Sequence, residues 1–234
     1  MRLPCLAAVL LAAQPLAAQV GHPPGASPYR DIRFGKSVTL LYGDIGGDGG
    51  KLGIGPHNGP AYGARFDIRI SAPLQLGVSF AQANLERLIV DADDSVATRV
   101  KGPVDQELTM IELALQLNLT GRKTWHRLAP YLTGAAGYAS ATETPADTSG
   151  YKFGSKFYLA PGVGVRFFVT DRLHLRAEAR QLFWKLHYPS SYLDEPADQP
   201  GSNPPQDSNA VIQDGKRDQW TGGRELRIGL GFTF

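Results

Sequence analysis

The chain has a single cysteine, Cys5, and after residue 19 no segment approaches 18 consecutive apolar residues. One cysteine excludes a disulfide scaffold. The missing apolar run excludes a transmembrane helix beyond residue 19. Charge of one sign is absent too: 24 Lys and Arg stand against 22 Asp and Glu, a formal +2, which gives no electrostatic case for a nucleic-acid partner. The five histidines, at 22, 57, 126, 174 and 187, include no pair at metal-ligand spacing. What is present is 234 residues with 42% hydrophobic content, 27 Gly and 17 Pro, enough for one β domain or two small mixed ones and too apolar for a disordered chain.

Residues 1–19 carry Arg2, then a mostly apolar stretch, then Ala17 and Ala18. That pattern predicts a secretory signal peptide. Gln14 and Pro15 interrupt the stretch and leave it short of a membrane span of about 20 residues. Cleavage near Ala18 to Val20 removes Cys5, which sits before the apolar run and too early for lipid attachment. Residues 20–33 form a Pro- and Gly-rich N-terminal segment, in which Gly21 to Pro28 reads as a tether without fixed structure.

From residue 34 to 234 the periodicity is two, in segments of about ten residues, the length of a tilted membrane-spanning strand. Between Met110 and Thr120, Ile111, Leu113, Leu115, Leu117 and Leu119 share one face, against Met110, Glu112, Ala114, Gln116 and Asn118. Ala64, Phe66, Ile68 and Ile70 likewise oppose Arg65, Asp67 and Arg69. Val163, Val165, Phe167 and Val169 oppose Gly164, Arg166 and Phe168, and Leu173, Leu175, Ala177 and Ala179 oppose His174, Arg176, Glu178 and Arg180. Leu226, Ile228, Leu230, Phe232 and Phe234 oppose Glu225, Arg227, Gly229, Gly231 and Thr233. In these five segments every charge lies on one face, and a one-residue slip would reverse that, so the register is strongly specified.

Weaker segments at Phe34 to Gly43, Leu74 to about Leu85 and Leu128 to Ser140 bring the count to eight. The connections alternate long and short: Ser71-Ala72-Pro73 and Thr170-Asp171-Arg172 are tight turns, whereas 44–57, 86–105, 141–152 and 185–222 are long. In an antiparallel barrel this gathers the long loops at one rim and the short turns at the other, the arrangement of outer-membrane barrels with short periplasmic turns. Alternation alone also fits a soluble lipocalin-type barrel with its apolar face inward.

The closing strand, Leu226 to Phe234 with an aromatic as its last residue, resembles the small bacterial outer-membrane β-barrel family of the OmpA transmembrane domain and OmpX type, as do Pro130 to Tyr138 and Pro161 to Leu173. The resemblance implies an eight-stranded antiparallel up-and-down transmembrane β-barrel, all-β, over residues 34–234. It also implies that Leu226, Ile228, Leu230, Phe232 and Phe234 form the signal read by the barrel-assembly machinery during insertion. Its motifs identify a fold rather than an activity.

With the apolar face toward outer-membrane lipid, the other face fills the lumen. That lumen is expected to hold an ion network of Arg65, Asp67, Arg69, Glu112, Arg166, Arg176, Glu178, Arg180, Glu225 and Arg227. An eight-stranded barrel has room for side chains and little else, and an unpaired buried ion costs several kcal/mol, so a salt-bridged plug is expected over an ion path. Tyr42, Tyr62, Phe80, Tyr138, Tyr158, Phe183 and Trp184 are candidates for interfacial girdles.

Chemistry has weak support. Asp44 to Lys51 lacks both the EF-hand spacing and the Gly-Lys-Ser/Thr of a phosphate cradle, and reads as a flexible surface loop. Asp91, Asp93 and Asp94 read as solvated. His187, Ser190 and Glu195 suggest the set of an eight-stranded lipid A deacylase family. There, however, His and Ser lie two apart on one strand face, whereas His187 and Ser190 are three apart with Pro189 between. Residues 194–208, rich in Pro, read as an exposed mobile tip.

The expected function is a monomeric, non-conducting outer-membrane barrel with a structural or surface-recognition role carried by its loops, whose extracellular partner the sequence does not name. No catalytic residue, cofactor, metal or nucleic acid is expected. The alternatives are a transporter of small apolar compounds, marked by an apolar pocket at one end of the lumen, and a lipid A-modifying enzyme.

Overall fold

The computed structural model describes residues 27–145, 147–196, 200–201 and 208–234. The expected signal peptide and residues 20–26 of the N-terminal segment lie outside the described residues, as does part of the expected tip at 194–208. Ten strands follow in chain order: β1 (Tyr29–Asp31), β2 (Lys36–Gly47), β3 (Gly59–Arg69), β4 (Leu74–Val90), β5 (Val100–Asn118), β6 (Lys123–Trp125), β7 (Leu128–Ala141), β8 (Ser155–Phe168), β9 (Leu173–His187) and β10 (Asp218–Thr233). Eight of them, all but β1 and β6, pair antiparallel with their neighbours, and β10 pairs with β2 from Gly223↔Gly47 to Thr233↔Ser37, which closes the sheet. Closure removes the free edges that would recruit another strand.

Side-chain direction follows the sequence alternation. Leu113, Leu115, Ile228 and Leu230 point outward and are exposed, while Glu112, Gln116, Glu225 and Arg227 point inward and are buried. This polarity is the inverse of a soluble barrel. Keeping a buriable Leu, Val or Phe in water forfeits about 1.5–3 kcal/mol each, so a continuous outer band of them belongs in an apolar solvent. The strands are unequal: β3 has 11 residues, whereas β4 has 17 and β5 has 19. A span needs about 9–11 residues, so β4 and β5 rise well beyond the apolar band at the long-loop rim.

Two segments are more ordered than the sequence suggests. Within the expected N-terminal segment at 20–33, just past the tether, lies a strand, β1, paired with β6 inside the connection between β5 and β7, in the register Tyr29↔Trp125 to Asp31↔Lys123. Ile32 follows it into a small core with Ala129 and Phe168, so the ribbon is both hydrogen-bonded and anchored. The expected flexible loop at Asp44 to Lys51 is also folded. β2 runs on to Gly47, and Gly55 N–H donates to the Gly49 carbonyl at 2.9 Å. Gly49 has φ +67°, and a Cβ there would lie 2.7 Å from that region's Gly55 carbonyl oxygen. The tight turn drops Ile54, fully buried, into the barrel mouth.

Candidate functional site

The lumen is the site that the sequence singled out, and its middle layer is ionic. Glu112 on β5 accepts from Arg180 Nη1 at 2.8 Å, Arg227 Nη2 at 3.2 Å, Ser79 Oγ at 2.7 Å and Tyr158 Oη at 2.8 Å. Glu178 on β9 takes Arg176 at 2.7 Å, Arg227 at 2.8 Å and Tyr131 Oη at 2.9 Å, with Arg180 at 3.6 Å. Glu225 pairs with Arg180 at 2.6 Å and Arg227 at 3.5 Å, and Asp67 with Arg65 at 2.7 Å and Arg176 at 3.3 Å. Strands β3, β5, β9 and β10 are thereby tied across the barrel interior. Every group in the set is buried. Taking such ions out of water costs several kcal/mol each, a cost offset only by this density of charge-assisted contacts.

Two expected members stand apart. Arg69 is half-buried at the short-turn rim, and its Nη2 donates to the Phe34 carbonyl at 2.6 Å. Arg166 is buried, donates to Asn118 Oδ1 at 3.0 Å and lies over the Phe168 ring, with no carboxylate within 4.0 Å among the described residues. The reason is height along the barrel axis. Period two fixes whether a side chain points in or out but not its height, and both arginines lie within four residues of a short turn, below Glu112, Glu178 and Glu225.

The upper lumen corrects the picture of a wholly ionic interior. On β9 the inward row runs His174, Arg176, Glu178, Arg180 and then Leu182, Trp184, Leu186, switching from polar to apolar. With Leu85, Leu108 and Met110, and with Ile54, Tyr151, Phe153, Tyr188, Tyr192 and Ile212 from the loops, these form one apolar cluster. Trp184 meets Phe153 edge-on at 5.7 Å. Trp184 and Tyr158, candidates for the outer girdles, are therefore luminal, at 3% and 1% exposure, whereas Tyr42, Tyr62, Phe80, Tyr138 and Phe183 do point outward. The switch along β9 was visible in the sequence, but only by following the inward phase beyond the charged residues.

At the long-loop rim a cleft of about 410 Å³ is lined by Arg87, Gln106, Glu143, Asp147, Tyr151 and Lys152, among others. Arg87 Nη2 is bonded to Asp147 at 2.6 Å and its Nε to Gln106 at 2.9 Å, so a folded loop rather than solvent meets it. Depressions of about 570 and 580 Å³ lie on the outer wall, against Val165, Ala177 and Ile228, where acyl chains run. His187 Nδ1 is 2.7 Å from Asp218 Oδ1 and its Nε2 is 3.2 Å from Arg217. Ser190 begins a short 3-10 turn, Ser190–Leu193, and Glu195 accepts from Gly201 N–H at 2.8 Å. No hydrogen bond joins His187, Ser190 and Glu195 among the described residues. Asp94 pairs with Lys101, and Asp91 accepts from Thr148 at 3.2 Å. Among the described residues no group of three or more His, Cys, Asp or Glu could hold a metal.

The short-turn rim differs in charge from the other end. Among the described residues seven basic side chains are exposed there, Arg30, Arg33, Lys36, Arg122, Lys123, Arg127 and Arg172, against two acidic ones, Asp31 and Asp171. Leu226, Ile228, Leu230, Phe232 and Phe234 line the outward face of β10 and its end at this rim, with the Phe232 and Phe234 rings stacked at 6.5 Å.

Comparison with known proteins agrees with this geometry. Residues 3–233 match the model of the family described as outer membrane protein beta-barrel domain. Among solved structures the chain is similar to the outer membrane protein OprG from Pseudomonas aeruginosa, at 13% identity and TM-score 0.51, covering 89% of this chain and 99% of that one. It is similar also to Neisserial surface protein A, at 15% identity and TM-score 0.50, covering 89% of this chain and 98% of that one. At these identities the likeness is one of fold. No curated protein matches the chain.

Proposed function

Since the chain belongs to the outer membrane protein β-barrel domain family, we propose that it is a non-conducting, monomeric barrel that serves as a rigid mount for its extracellular loops. The observation that carries the reading is that the lumen is filled at both levels, by the Glu112, Glu178, Arg180 and Arg227 network below and by Trp184, Leu186, Tyr188 and Tyr192 above. A mount needs stiffness, and ionic cross-braces between distant strands supply it. Recognition then falls to the folded loops, with the cleft at Arg87, Tyr151 and Lys152 as the seat of a small polar ligand or an extracellular partner. The outward row ending at Phe234 is read by the assembly machinery. No catalytic role is assigned to His187 or Ser190: His187 meets Asp218 and Arg217, and no hydrogen bond joins it to Ser190 among the described residues. The folded chain in a planar lipid bilayer with 1 M KCl is expected to give no conductance steps; stable steps of constant size overturn the proposal.

A second reading is passage of small apolar compounds, favoured by the apolar upper lumen. Its test is uptake of an apolar tracer by vesicles holding the protein. Transport that rises when Trp184 is made Ala supports that reading, and no transport in either form supports the mount.

A further inference from the structure

We propose that the short-turn rim binds anionic phospholipid headgroups of the leaflet it faces. The two ends of the molecule differ in sign. The short-turn rim exposes seven basic side chains and two acidic ones, and Asp171 is engaged by Arg33 at 3.4 Å. Among the described residues the long-loop end has a modest excess of carboxylates, Asp44, Asp48, Glu86, Asp93, Asp105 and Glu107 among them, over bases such as Lys51, Arg99, Lys152 and Lys216, while the chain as a whole is close to neutral. Three of the basic side chains are not compensated locally: Arg30, Arg122 and Lys123 have no carboxylate within 4.0 Å among the described residues. The basic side chains also occupy one sector. The β3–β4 turn, Ser71-Ala72-Pro73, carries no charge, and the β1–β6 ribbon and the β8–β9 turn carry most of it.

Depth selects lipid over a protein or a soluble anion. The Arg172 guanidinium stacks 4.7 Å from the Phe34 ring centre and 6.0 Å from that of Phe232, which faces lipid. That places a permanent cation at the edge of the apolar band, the level of a lipid phosphate, with a planar donor fork suited to phosphate oxygens. Trp125, exposed beside Lys123, supplies the amphipathic ring favoured at the same interface. Each basic residue near an anionic surface strengthens attraction by about fivefold at low salt, and the effect is screened within a Debye length.

The test uses the full folded chain carrying Trp220→Phe, which leaves Trp125 as the exposed indole, since Trp184 is luminal. The protein is reconstituted in phosphatidylcholine bilayers with brominated phosphatidylglycerol or brominated phosphatidylcholine as quencher. At low salt, association of the anionic lipid near Trp125 is expected to exceed that of the zwitterionic lipid by at least about fivefold, the factor for one basic residue. The preference is expected to fall toward one at 1 M salt and to fall severalfold at low salt in the Arg122→Gln, Lys123→Gln, Arg172→Gln variant, whose folding is checked by heat-modifiable gel migration. No preference at low salt overturns the proposal, as does a preference that survives both salt and the triple substitution. Should the variant not fold, the salt dependence of the parent decides.

Discussion

Replacing Glu112 with Gln removes one negative charge from the centre of the barrel while keeping shape. Its carboxylate receives four donors, two of them guanidinium groups, at 2.7 to 3.2 Å. Neither arginine is stranded. Arg180 keeps Glu225 at 2.6 Å, and Arg227 keeps Glu178 at 2.8 Å. Removing one partner of a buried pair costs about 3–5 kcal/mol, and because both cations retain a carboxylate the expected loss is near the lower bound, about 3 kcal/mol. Glu112→Ala also leaves Ser79 and Tyr158 without their acceptor, which adds about 1–3 kcal/mol. The assay is urea unfolding of the protein in lipid vesicles, followed by tryptophan fluorescence and by the ratio of fast- to slow-migrating bands in unboiled gels. A loss of less than about 1 kcal/mol, the value of an exposed pair, would mean that the lumen is wet and the network is not a brace.

Further consequences follow from the same layout. Ile228→Arg, on the exposed outer face of β10, is expected to destabilise by about 2–4 kcal/mol in bilayers, measured by the same unfolding assay. Trp184→Ala in the upper lumen is expected to cost about 3–5 kcal/mol without opening a conducting path, because the ionic layer beneath remains; planar-bilayer recording checks this. Phe234→Ser is expected to slow assembly in cells more than it changes the stability of refolded protein, measured by pulse-chase and by urea unfolding. Burial alone would raise the Asp147 carboxyl, but hydrogen bonds from Ser149 and the Arg87 guanidinium hold it below its usual value. A carboxyl so depressed contributes stability above its unfolded value, lost as pH falls through the folded one. Amide protection in the loop around Asp147 is therefore expected to persist at pH 5 and to fall only below about pH 4.

Much of this layout was legible because lipid-facing strands must keep charge off one face. The rows Ile111 to Leu119 and Leu226 to Phe234 announced strand, register and outward direction together. The luminal site was legible only in part. Parity identified Arg65, Asp67, Glu112, Arg176, Glu178, Arg180, Glu225 and Arg227 as inward, and they meet; it gave the same status to Arg69 and Arg166, because period two carries no information about height. Tyr158 and Trp184 were misplaced for a related reason: as aromatics near strand ends they suggested girdles, while their phase, shared with Arg180 on β9 for Trp184, pointed inward. The β1–β6 ribbon was hidden because three-residue strands show no periodicity, and pairing between residues about 94 apart depends on where the barrel brings the chain back. Ordering of the glycine-rich loop rests on long-range contacts, Lys51 with Gln219 and Asp214 and, just beyond the loop, Ile54 in the barrel mouth, which composition does not reveal.

The most direct test of the account is a scan of single cysteines from residue 108 to 118 of β5, in a chain whose own cysteine is Cys5. Each is spin-labelled, and its collision rates with oxygen and with a water-soluble nickel complex are measured in bilayers. Labels at 111, 113, 115 and 117 are expected to meet oxygen freely and nickel little, while those at 110, 112, 114 and 116 meet neither. A pattern without a two-residue period, or with nickel reaching 112 and 114, would contradict a barrel that is apolar outside and packed within.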